Sequence, residues 1–75
     1  MNRAGDPGDV ALDVQMAYEA MRELSPPLRE AIAAVDVLGL SYRDAAKALR
    51  IRRGTLMSRL SRARERIAAA LEEGS

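Results

Sequence analysis

Leu56, Leu60, Ala63, Ile67 and Leu71 follow one another at intervals of four, three, four and four residues, and no other feature constrains this chain as tightly. Side chains three or four positions apart share a face of an α-helix, so these five make one apolar stripe on a helix expected over about residues 53–72. At roughly 100° per residue, Thr55, Ser58, Arg59, Arg62, Glu65 and Arg66 project from the far side, with Ser61 at its edge. The same helix thus carries a face to bury and a polar, basic face to leave in solvent.

In a chain of 75 residues only one modest core can form, and the rest of the pattern supplies helices to build it. Val10, Val14, Ala17, Tyr18, Met21 and Leu24 recur at helical spacing behind Asp9, an N-cap type, which predicts a helix over 9–24. Ser25-Pro26-Pro27 ends it and opens the next, because proline is tolerated where first-turn amides lack partners. That second helix is expected over 26–38, with Leu28, Ala31, Ile32, Val35 and Leu38 as its stripe and Gly39 in the left-handed position after it. Ser41 caps a short third helix over 42–49, with Asp44 placed to reach back to Ser41, and Ala45, Ala46 and Leu49 facing inward. Arg50 and Ile51 form the turn into the long helix. Residues 1–8, with two Gly, one Pro and no apolar period, read as a disordered lead or the end of a linker. The expectation is an all-α, four-helix domain over 9–73.

Composition removes several function classes. The chain has no Cys and no His, which leaves no thiol nucleophile, no common zinc site and no ordinary general base at neutral pH. No glycine-rich phosphate loop or paired buried carboxylates stand in their place. Neither an enzyme nor a cofactor or metal is expected. No apolar run reaches the ~18 residues of a spanning helix and no signal-peptide pattern opens the chain, so a soluble, cytoplasmic protein with no membrane partner is expected.

The net charge of +1 hides a division: residues 1–40 carry three arginines against seven acids, whereas residues 41–75 carry nine cations against four acids. Between Ala45 and Arg64, Lys47, Arg50, Arg52, Arg53, Arg59, Arg62 and Arg64 occur with no acidic side chain. Such a block suits a polyanion, although a solvated helix face has the same composition. Two short helices joined by a tight turn, the second longer and basic, match a helix-turn-helix, whose second helix enters the DNA major groove.

The segments L-S-Y-R-D-A-A-K-A-L (40–49) and I-R-R-G-T-L-M-S-R-L-S-R-A-R (51–64), with G-T-x-x-S-R-L-x-R-A-R at Gly54 to Arg64, resemble region 4 of the extracytoplasmic-function sigma factors of the sigma-70 family. Ser25 to Glu30 resembles the family's helix start, so the likeness covers about residues 9–72. The resemblance implies a helix-turn-helix, winged-helix-like in class, that reads the promoter minus-35 element and docks on the flap of the RNA polymerase β subunit. Carried over by position, it implies Ser58 and Arg62, then Arg59 and Ser61, as base contacts, and Arg43, Arg52, Arg53, Thr55 and Arg64 as phosphate contacts. Arg50 stands where the family's turn commonly has Gly, so either an Arg is held left-handed or the turn differs. Tyr42 is placed either to touch a phosphate or to close the corner between helices two and three.

Leu38, where the family pattern usually has a polar residue, is a candidate protein-docking position; its alternative is packing beneath the N-terminal segment. An anti-sigma factor is a further candidate partner, and a monomeric domain is expected. Two other readings remain open: the DNA-binding domain of LuxR-type regulators, which shares L-S-x-x-x-A-A-x-x-L and G-T-L, and a protein-interaction module whose basic helix binds an acidic partner.

Overall fold

The computed structural model describes residues 7–74. Four α-helices follow in order, α1 (Pro7–Glu23), α2 (Pro26–Ile32), α3 (Tyr42–Leu49) and α4 (Arg53–Gly74), with a π-helical turn, Ala33–Val37, continuing α2. There is no strand among the described residues, and the all-α expectation is met. The 22-residue α4, about 33 Å long at 1.5 Å per residue, is the spine against which α1, α2 and α3 all pack.

The stripe on α4 is buried as its spacing requires: Leu56, Leu60 and Ala63 are fully enclosed, with Ile67 packed at the margin. Leu28, Ala31, Ile32 and Ala34 meet it from α2 and its π turn, Ala45 and Ala46 from α3, and Leu24 from the bend just after α1. Ala31, Ala45 and Ala63 have no exposed surface. One small side chain from each of three helices thus lies at the centre, where bulk would hold the backbones apart.

The first helix departs from expectation at both its start and its inner face. It begins at Pro7, not Asp9, consistent with the preference of proline for the first helical position; residues 1–6 of the expected lead lie outside the described residues. Val14 and Tyr18, expected in the buried stripe, are 50% and 54% exposed. The main support of α1 is α4, and contact with a single neighbouring cylinder covers a narrower arc than the periodicity marked out.

The second helix changes pitch instead of running evenly to Leu38. Ser25 is its N-cap, but the hydroxyl makes no capping bond; Pro27, at the second helical position, removes one of the two amides it would serve. At the other end the Leu38 amide donates to the Ala33 carbonyl (2.9 Å), five residues back, and the Leu40 amide to Ala34 (3.0 Å), six back. This Schellman-like closure depends on Gly39, whose φ is +77°. The widened turn leaves Val37 50% and Leu38 72% exposed, so Leu38 is not part of the inner stripe.

Ser41 caps α3 as expected, its Oγ accepting from the Asp44 amide at 3.0 Å. The Asp44 carboxylate does not return the bond, and only half of the capping box forms. Arg50 closes α3 in the left-handed region at φ +59°, ψ +44°, so the helix-turn-helix keeps its turn and places an arginine in it. The Arg52 carbonyl accepts the first bond of α4, from the Leu56 amide at 3.0 Å.

Candidate nucleic-acid interface

Because Leu56, Leu60 and Ala63 turn inward, the residues between them must turn out. Arg52, Gly54, Thr55, Ser58, Arg59 and Arg62 line one open concavity along the start and middle of α4. Arg59 is half-buried there and the others are exposed, so three guanidinium groups and two hydroxyls face solvent over about three helical turns. A Cβ added to Gly54 would meet nothing within 4 Å, so no packing within the free protein requires a glycine at that position.

Of the four residues expected at base edges, Ser58, Arg59 and Arg62 share this concavity, while Ser61 is exposed on α4 outside it. Of those expected at phosphates, Arg52 and Thr55 line the same surface. Arg43 is exposed in the first turn of α3, and Arg53 opens α4 with its Cζ 5.8 Å from the centroid of the Tyr42 ring. Tyr42 itself is half-buried and packs against the core, which is the corner-closing placement.

Arg64 is not brought to this surface. Its Nε donates to Asp36 Oδ2 at 3.0 Å and its Nη2 to Asp36 Oδ1 at 2.7 Å, a two-point pair that ties α4 to the π turn after α2. The Arg64 hydrogen bond draws the Asp36 carboxyl below its ordinary value. Asp36 in turn raises the pKa of Arg64, with a smaller contribution from Tyr42.

Two contacts had no single-residue signal in the sequence. Asp36 sits in an acidic half of the chain, 28 residues from its partner. Arg29, on α2, donates through Nη1 to the carbonyls of Arg22 (2.9 Å) and Leu24 (3.2 Å), satisfying acceptors left open where α1 ends. Behind the basic face lies an apolar groove formed by Ala17 and Met21 of α1, Ile32 and Val37 of the α2 arm, and Ile67 and Leu71 of α4, with Asp36 and Arg64 on its rim.

A family model described as sigma-70, region 4, matches residues 15–67, a span that contains α2, α3 and the basic part of α4. The chain belongs to the sigma-70 region 4 family. No curated relative and no solved structure matches it. As a region 4 domain it is a promoter-recognition, DNA-binding unit of a sigma factor, acting in transcription initiation with RNA polymerase as its partner. The match lies outside catalytic families, and it decides against the LuxR-type reading of the shared L-S and G-T-L segments. Among the described residues, no helix is long and apolar enough to cross a membrane and no group of acidic side chains could hold a metal ion.

Proposed function

We propose that this region 4 domain reads the minus-35 element for an extracytoplasmic-function sigma factor, with α4 in the major groove. The observation that carries the reading is the convergence of Arg52, Thr55, Ser58, Arg59 and Arg62 on one open concavity, on the side of α4 opposite its buried stripe. The major groove admits a single helix, arginine can fork onto guanine, and serine can reach an edge directly or through water. Ser58, Arg59 and Arg62 are the base readers in this arrangement, with Ser61 reached only at the edge of the footprint. Arg43, Arg52, Arg53 and Thr55 are the phosphate contacts, helped by the amides at the start of α4. Arg64 would have to leave Asp36 to join them, and its role is assigned to the fold.

The test is a titration of the 75-residue chain with a duplex selected from a randomised pool and with a random duplex, at two salt concentrations. Preference that survives added salt requires base contacts. Arg62→Ala should cost ~1–3 kcal/mol on the selected duplex and relax choice at one base pair, while random duplex loses far less. Equal losses on both would make Arg62 a phosphate contact and remove the main support for the reading.

The exposed pair Val37 and Leu38, beside the apolar groove, favours a protein contact on the side away from DNA. We assign the β-subunit flap of the polymerase to this side, with an anti-sigma factor as a competitor for it and the cytoplasm as the place of action. Leu38→Glu should weaken binding to polymerase core while leaving duplex affinity intact; an unchanged polymerase affinity would refute the assignment.

A further inference from the structure

Tyr42 is half-buried and seated on the core, so its ring is a fixed surface. Arg53 is exposed, on the first residue of α4, and a free arginine there would sample many rotamers before meeting an anion. The guanidinium carbon nevertheless lies 5.8 Å from the ring centroid, within the ~6 Å at which a cation is drawn to the face of an aromatic ring. A guanidinium drawn to the ring by its charge forms no hydrogen bond to it, so its N–H donors stay available to an oxyanion. The ring side chain belongs to the first turn of α3 and the arginine to the first turn of α4, so the contact joins the two helices of the helix-turn-helix at their DNA-facing ends. Tyr42 also acts on Arg64, contributing to its raised pKa, and Arg64 is itself anchored to Asp36.

We propose that Tyr42 is a positioning residue of the DNA site, its ring holding the Arg53 guanidinium in the orientation that meets a backbone phosphate. The proposal rests on the DNA-binding reading above and adds to it a side chain that need not touch DNA. The favourable term lies in the ring face, so the hydroxyl is dispensable for it and an aliphatic side chain of similar bulk is no substitute.

The experiment is fluorescence anisotropy with a random-sequence duplex between about 50 and 200 mM salt, on the full chain and on Tyr42→Phe, Tyr42→Leu, Arg53→Ala and the Tyr42→Leu/Arg53→Ala double variant. Circular dichroism establishes that each is folded at the assay temperature. Arg53→Ala should lower the magnitude of the salt slope by ~0.9. Tyr42→Leu should weaken binding about two- to five-fold, the size of one exposed cation–π contact, and Tyr42→Phe should bind as the parent does. In the Arg53→Ala background Tyr42→Leu should have no further effect, because the ring then has nothing to hold.

An equal loss from Tyr42→Leu in both backgrounds, or a loss in Tyr42→Phe matching that in Tyr42→Leu, would overturn the proposal. So would an unchanged salt slope in Arg53→Ala while the parent still prefers its selected duplex, and in that case the DNA reading stands. A parent chain with neither preference nor salt-dependent binding would instead bring down the DNA reading itself.

Discussion

Arg64 and Asp36 meet through two nitrogen–oxygen contacts of 3.0 and 2.7 Å across 28 residues of sequence, fastening the middle of α4 to the π turn. Their side chains are 45% and 40% exposed, so water and salt screen the pair and Asp36→Asn should cost only ~0.2–1 kcal/mol at neutral pH. The folded carboxyl titrates below its ordinary value of 3.8. Its contribution is therefore complete above that value and is lost as pH falls through the lower, folded one. Urea unfolding should separate parent and Asp36→Asn near neutrality and bring them together in acid; a constant gap across that range would contradict the pairing.

Arg50 and Gly39 make a pair of opposite tests. Arg50 holds φ +59°, a region in which a side chain raises the energy by about 1–2 kcal/mol. Arg50→Gly should relieve that strain, less the added entropy of a glycine in the unfolded chain, for a net gain of roughly 0.5–1 kcal/mol. In a domain of this size that is a rise in Tm of several degrees. Gly39 holds φ +77° with open space around the missing Cβ, so Gly39→Ala should lose about 1 kcal/mol through backbone strain alone. Thermal melts showing the same sign for both variants would contradict the turn geometry.

Leu60 is fully buried on α4, and Leu60→Ala should destabilise by ~2–5 kcal/mol. A chain of 75 residues has a total of only about 4–11 kcal/mol, so the variant should lose a large share of its stability and melt well below the parent by circular dichroism. An unchanged melting curve would place the core elsewhere.

Gly54 should divide stability from binding. No neighbour opposes a methyl group there and the residue is helical, so Gly54→Ala should raise stability by ~0.4–1 kcal/mol. The same methyl stands in the concavity with Ser58 and Arg62, where a groove edge would press on it. Higher Tm with weaker duplex binding is expected; equal or better binding would mean that DNA does not approach this turn.

What could be read from the sequence follows from what each residue depends on. Leu56, Leu60 and Ala63 were legible because one helix of fixed period decides their direction, and Ser58 and Arg62 followed as their complement. The Ser41 cap was legible for the same reason, being settled within a single turn of chain. Val14 and Tyr18 were not: their exposure depends on how much of α1 its neighbour covers, a tertiary fact. Arg64 looked like another cation of the basic block, and only the π turn, which a periodicity of 3.6 does not anticipate, brings Asp36 within its reach. Tyr42 left two roles open because the Arg53 contact joins two helices whose crossing the sequence does not state.

That the reading surface and the centre of the core are opposite sides of one uninterrupted rod, α4, has a kinetic consequence. Backbone amides at Leu60 and Ala63, in the interior of the helix, can exchange with solvent only when the helix opens there, and it cannot open there without emptying the core. Their hydrogen exchange should accordingly report whole-domain unfolding, while the last turns of α4 exchange through fraying. Opening the reading segment of α4 and losing the core are then one event, so the lifetime of the DNA-reading surface is the lifetime of the core.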